Sequence, residues 1–200
     1  MVRHGDVEAD MSRYWGRTDV PLSDAGIRQA KRLARRLAGE AFDLVYSSDL
    51  RRAVDTATTI VEHRRLSVVA CPELREIDFG QCEGLTFDEM KDRFAVTEGI
   101  WNADGPEIRF PGGESIRTLA GRVGRFAERL HRETSRSALV VAHGGSLSVL
   151  VCCLTGLDLS VWREMRVERA SLSTVEMDGS RAKVSLLNDV SHLDNGGSVK

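Results

Sequence analysis

Ala138-Leu139-Val140-Val141-Ala142-His143-Gly144-Gly145-Ser146 is a continuous apolar run that breaks at a His-Gly-Gly turn. Five apolar residues without alternation are what a strand buried on both faces needs, and the turn leads into a helix from Ser146. Such a strand lies inside a sheet covered by helices. Upstream the pattern recurs. Residues 42–46 form a short apolar run opening into Ser47-Ser48-Asp49, which can cap a helix carrying Ala53, Thr56, Ala57, Ile60 and Val61 and places Arg51 and Arg52 in its first turn. Before it, Asp19-Val20-Pro21-Leu22-Ser23 is turn and cap chemistry for an amphipathic helix with Ile27, Ala30, Leu33, Ala34 and Leu37 on one face. Residues 67–70 read as a strand, 72–84 as a loop, and Thr86-Phe87-Asp88-Glu89 as a capping box that starts a short helix. Residues 102–114, rich in Gly, Pro and charge, form a candidate lid. Ile116, Leu119, Val123, Phe126, Ala127 and Leu130 mark a long helix, and 172–177 and 184–187 are closing strands. This alternation predicts a three-layer α/β/α sandwich with a largely parallel central sheet, built as one domain over residues 1–200.

Composition excludes several partner classes. A net charge of -2 over 200 residues gives no single-sign field for nucleic acid or an anionic membrane surface. The longest mostly apolar stretch, 147–157, is far short of the ~20 residues of a membrane span, and Met1-Val2-Arg3-His4-Gly5-Asp6 has no apolar signal core. Four cysteines (Cys71, Cys82, Cys152, Cys153) without a CxxC pair are too few for a disulfide framework and fit a reduced, cytoplasmic setting. Spacing for a metal site is absent, as is a nucleotide fingerprint around Gly112-Gly113 or Gly144-Gly145, so neither metal nor organic cofactor is expected.

In open α/β sheets ligands gather at the carboxyl ends of strands. Arg3-His4, Ser48-Asp49, the loop bearing Glu76 and His143-Gly144 each follow a strand and are expected to converge. Two histidines, two arginines and a carboxylate are enough to move a phosphoryl group without metal.

The segments Arg3-His4-Gly5, Gly16-Arg17-Thr18-Asp19-Val20-Pro21-Leu22-Ser23, Ser47-Ser48-Asp49-Leu50-Arg51-Arg52-Ala53, Leu74-Arg75-Glu76-Ile77-Asp78-Phe79-Gly80, Pro111-Gly112-Gly113-Glu114-Ser115 and Ala142-His143-Gly144-Gly145 occur in the order seen in one family. The chain resembles the histidine phosphatase superfamily, with its phosphoglycerate mutase-like fold, over nearly its whole length. Within that superfamily it is most similar to the small α-ribazole phosphatases, whose C-terminal segment Asn188-Asp189-Val190-Ser191-His192-Leu193 also resembles. The resemblance implies that His4 attacks phosphorus to give a phosphohistidine, that Arg3 and Arg52 grip phosphoryl oxygens, that a cationic His143 adds a donor, and that Glu76 protonates the leaving group. For this Glu76 must carry a proton while His4 stays neutral, which predicts a bell-shaped pH profile. Gly144 belongs to the same phosphate-binding turn. The implied function is metal-independent hydrolysis of a small phosphomonoester, with α-ribazole 5′-phosphate of cobalamin nucleotide-loop assembly as the candidate ester. The alternatives are a cofactor-dependent phosphoglycerate mutase and, from another class, a noncatalytic phosphate- or phosphoprotein-binding module. A homodimer is a candidate assembly.

Two departures from the family matter. Asp10 stands where members carry a phosphate-contacting Asn, so Arg13 is assigned as its substitute, with Gly16 beside it as a further phosphate contact. Only Met1-Val2 precedes Arg3-His4-Gly5, where the family has a full central strand, which implies a start upstream of Met1. Among bland readings, Arg51 is a solvated cap residue, Asp78 and Glu83 rival Glu76, and Glu114 either caps the long helix with Ser115 or lines the pocket. His63 and His131 have no site context, and His192 packs near the site with the tail. Trp15, Trp101 and Phe110 either wall the pocket or pack in the core.

Overall fold

The computed structural model describes residues 1–96, 99, 107, 109–133, 137–179 and 181–194. Its six strands are β1 (Val2–Arg3), β2 (Leu44–Ser47), β3 (Val68–Ala70), β4 (Ala138–Ala142), β5 (Leu172–Asp178) and β6 (Arg181–Asp189), joined in one sheet of order β3-β2-β4-β1-β5-β6. The first four are parallel neighbours, while β5 and β6 run antiparallel, so the sheet is mixed. Its helices are α1 (Asp24–Arg36), α2 (Arg51–Val61), α3 (Phe87–Phe94), α4 (Ile116–Arg132) and α5 (Gly144–Thr155).

The β4 run is buried on both faces, as its sequence requires. Leu139 and Val141 join Leu33, Ala53, Ala57 and Ile60 in the core under α1 and α2. Val140 and Ala142 join Leu119, Val123, Phe126, Leu147 and Leu150 under α4 and α5. The Thr86–Glu89 capping box forms in both directions. The expected cap of α2 does not: its N-cap is Leu50, without a side-chain bond, and Ser48 Oγ instead accepts from the Leu50 N–H. Helix α5 begins at Gly144, two residues earlier than its apolar pattern suggests, because His143 itself is the N-cap.

The two residues of β1 occupy a central position, with Val2 wholly buried. A cavity of about 310 Å³ beside β1 is lined by Met1, Leu37, Phe42, Leu139, Leu172 and Val175.

Candidate active site

The parallel register builds the site. Val2 pairs with Val141 and Arg3 with Ala142, so the next residues on the two strands, His4 and His143, emerge side by side. His4 N–H donates to the Ala142 carbonyl at 3.0 Å, and the two rings meet edge to face with centroids 5.1 Å apart. From the other side of β4, the Ser48 N–H donates to Val141 at 2.9 Å and brings its hydroxyl to 2.8 Å from His143 Nε2.

Hydrogen-bond partners assign both tautomers. His4 Nδ1 lies 2.7 Å from the Gly5 carbonyl, an acceptor, so Nδ1 carries the proton and Nε2 keeps a lone pair. His143 Nδ1 accepts from Arg52 Nε at 3.2 Å, so its proton is on Nε2 and goes to Ser48 Oγ. Burial, then the Arg52 and Arg3 guanidinium charges, hold His4 well below the ordinary histidine range. Burial and Arg52 do the same to His143, with His4 and Arg3 adding to the shift. The expected cationic His143 is therefore corrected: in the free protein it is a neutral, wholly buried imidazole that orients Arg52.

Arg52, on the first turn of α2, donates through Nη1 to the Thr18 carbonyl (2.8 Å) and through Nη2 to the Gly16 carbonyl (2.6 Å). Arg51 faces solvent and pairs with Asp55, as its bland reading holds. Arg3 donates to the Val167 carbonyl at 2.8 Å, and its Nε is buried without a hydrogen-bond partner. Glu76 sits at the N-terminus of α5, where its oxygens accept from the N–H groups of Gly145 (3.0 Å), Ser146 (3.2 Å) and Ile77 (3.0 Å). A helix N-terminus is a natural place for an anion. His4, Arg3, Arg52, Glu76, Gly144 and Gly145 line one cleft of about 280 Å³.

Gly145 is required by this approach, since a Cβ there would lie 2.6 Å from Glu76 Oε1. The clash falls on the end of a flexible side chain, so Gly145→Ala should fold normally while displacing the carboxylate. Turnover is expected to fall by about 10²-fold or more with Tm nearly unchanged, and an unimpaired variant would remove Glu76 from the chemistry.

The rival carboxylates have other partners. Asp78 accepts from the Gly80 N–H and lies 3.7 Å from Arg17 Nε. Glu83 accepts from the N–H groups of Gly16, Arg17 and Thr18 and from the Thr18 hydroxyl. That clamp corrects the reading of Gly16, whose N–H is bound to Glu83 and whose carbonyl is bound to Arg52. Arg13 lines the cleft, but its guanidinium pairs with Glu89 at 2.7 Å and Asp10 at 3.2 Å and donates to the Gly84 carbonyl. It closes a loop instead of replacing an asparagine. Asp10 is exposed and turned to Ser12 and Arg13, so it does not oppose a phosphate. Of the aromatic wall, Trp15 lines the cleft, whereas Phe110 is core, packed edge to face on Phe79 at 4.9 Å. Trp101 and residues 102–106 and 108 of the candidate lid lie outside the described residues.

Glu114 is neither cap nor pocket wall. It is buried in an ion pair with Arg122, which also donates to the carbonyls of Glu73, Arg75 and Glu76. Arg122 thus holds the loop that carries Glu76, and sequence reasoning missed it. The signal was present: residues 119, 122, 123 and 126 form one helical stripe, and an arginine stands on its apolar side. Ser48 was expected at the converging strand ends and Glu83 as a rival carboxylate, but their partners His143 and residues 16–18 were not foreseen, because both act across the fold on residues far away in sequence.

The profile of the histidine phosphatase superfamily, branch 1, matches residues 1–190. The chain belongs to this superfamily. As a phosphatase of this type it is similar to phosphoserine phosphatase 1 of Hydrogenobacter thermophilus, at 33% identity over 195 residues covering 96% of this chain and 92% of that protein. It is similar also to the adenosylcobalamin/alpha-ribazole phosphatase of Escherichia coli, at 33% identity over 190 residues and 94% of each chain. The crystal structure of the alpha-ribazole phosphatase from Shigella flexneri superposes with a TM-score of 0.85 at 31% identity over 94% of each chain. The mixed sheet and the five α-helices among the described residues are those of the phosphoglycerate mutase-like fold. No helix among the described residues is long and apolar enough to cross a membrane.

Proposed function

We propose that this phosphatase hydrolyses small phosphomonoesters without a metal ion through a phosphohistidine on His4, with residues 1–200 acting as one domain. The observation that carries this reading is the state of His4: buried, neutral, with Nδ1–H tied to Gly5 and the Nε2 lone pair free for attack. Nε2 forms a bond to phosphorus as the ester P–O bond breaks, and Arg3 and Arg52 take the charge on the equatorial oxygens. Glu76, which takes up a proton as the ester dianion enters beside it, gives that proton to the departing alkoxide. It then takes one from the water that attacks the phosphohistidine, returning Nε2 and releasing phosphate. Because His4 titrates below the ordinary range, the acid limb of kcat/KM is expected well under pH 6.5. A cytoplasmic setting is part of this reading, supported by four cysteines that stand as thiols.

Relatives named for α-ribazole phosphate and for phosphoserine stand at the same identity. Trp15 at the cleft lends an aromatic face to the α-ribazole reading. The test is phosphate release in EDTA from α-ribazole 5′-phosphate, phosphoserine, 3-phosphoglycerate and an aryl phosphate, with and without a bisphosphoglycerate primer. Release from at least one ester, indifferent to EDTA and primer, is expected. Isomerisation that depends on the primer would instead make the protein a mutase, and phosphate binding without turnover would make it a binding module.

A further inference from the structure

Resting on that reading, we infer that Arg169 is a specificity residue that binds a second anionic group on the alcohol side of the ester. Arg169 sits in the segment between α5 and β5 and lines the same cleft as His4, Arg3 and Arg52. Its charge is felt by both neighbours and lowers the pKa of His4 and of Arg3. One edge is anchored, with Nη1 3.3 Å from Asp6 Oδ1, while the other Asp6 oxygen accepts from Gln29 Nε2 at 2.8 Å. Its Nε is buried with no hydrogen-bond partner, as is the Nε of Arg3. Both residues line the cleft, and each keeps one buried donor without an acceptor, which is costly.

The phosphoryl group already has Arg3 and Arg52, so a third guanidinium matches more negative charge than one phosphate monoester carries. The neighbouring cleft, joined to this one through Arg3, Tyr14 and Gly144, measures about 470 Å³ and is lined by Arg163 and Arg166 with no carboxylate. Arg166 pairs with Glu168 at 2.9 Å on the exposed side. The segment 163–169 therefore presents arginines to the space beyond the phosphoryl site. A carboxylate or second phosphate fits there better than a neutral alcohol, because an ester bearing one would gain a charge-assisted, fork-shaped contact.

The test compares esters that differ only in this group: 3-phosphoglycerate with glycerol 3-phosphate, and phosphoserine with phosphoethanolamine. Wild type is expected to favour the carboxylate-bearing member of each pair by tenfold or more in kcat/KM. Arg169→Gln should erase that preference through KM, beyond any loss that all four esters share, and Arg169→Lys should restore part of it. Equal loss on all four esters would overturn the assignment, since Arg169 would then serve the phosphoryl group or the fold, and so would a wild type without preference. Calorimetric binding of the same esters to His4→Ala separates the two levels. Selective binding without wild-type turnover would refute the phosphatase mechanism and keep the subsite, while turnover without selectivity would keep the mechanism and refute the subsite.

Discussion

Replacing His4 by alanine is expected to lower phosphate release by on the order of 10⁴-fold or more, with the fold retained. Removing the nucleophile of a covalent mechanism deletes both half-reactions at once, and other groups recover only what binding and charge stabilisation supply. The ring is buried against His143 and accepts or donates nothing that holds the sheet together except the Nδ1 bond to Gly5. The strand is fixed instead by the backbone bond from His4 N–H to Ala142, which alanine keeps. Rapid quench with radiolabelled ester should trap an acid-labile, base-stable phosphoprotein in wild type and none in His4→Ala. A variant that keeps a tenth of the activity, or a label that persists in it, would place the nucleophile elsewhere.

Arg122→Met is expected to cost about 3–5 kcal/mol of stability, because it strands a buried carboxylate. Both Glu114 oxygens accept from Arg122 at 2.9 Å, and what remains after substitution is Arg17 at 3.0 Å and the Asp78 N–H at 3.1 Å. Burial pushes the Glu114 carboxyl up, but the Arg122 hydrogen bonds and charge outweigh it and hold the carboxyl below its usual range. A depressed carboxyl stabilises the fold above its unfolded pKa and loses that contribution as pH falls through the folded value. The penalty of Arg122→Met should therefore be full at pH 7 and shrink toward pH 4. Chemical denaturation at the two pH values reads it directly. The double variant Arg122→Met with Glu114→Leu should recover most of the stability, since apolar replacement of a buried pair is often neutral. Activity should not return, because the carbonyls of Glu73, Arg75 and Glu76 would still lack the guanidinium that orders their loop. Full activity in the double variant would show that Arg122 serves stability alone.

Much of the fold was legible because its rules are local. The non-alternating run 138–142 named a buried strand, the Thr86–Glu89 pair capped α3, and the apolar stripe of α4 ran from Ile116 as its spacing demands. The residues that meet in the cleft were legible through their motifs, yet several local readings failed where a distant partner intervened. Gly16 gave its N–H to Glu83, 67 residues on, and Arg13 found Glu89, 76 residues on. Ser48 served a histidine 95 residues away instead of capping its own helix.

Arg169 left no mark on periodicity, and its partner Asp6 lies 163 residues earlier. By itself the sequence determined the elements, the two-sided burial of the central sheet and the motifs whose residues meet in the cleft, because propensity, capping and hydrophobic period act over a few residues. Only the tertiary structure decided the protonation state of His143, the clamp on Glu76 and the third arginine in the cleft. Those depend on burial and on charges and hydrogen-bond partners that meet only when the parallel register of β1 and β4 is in place.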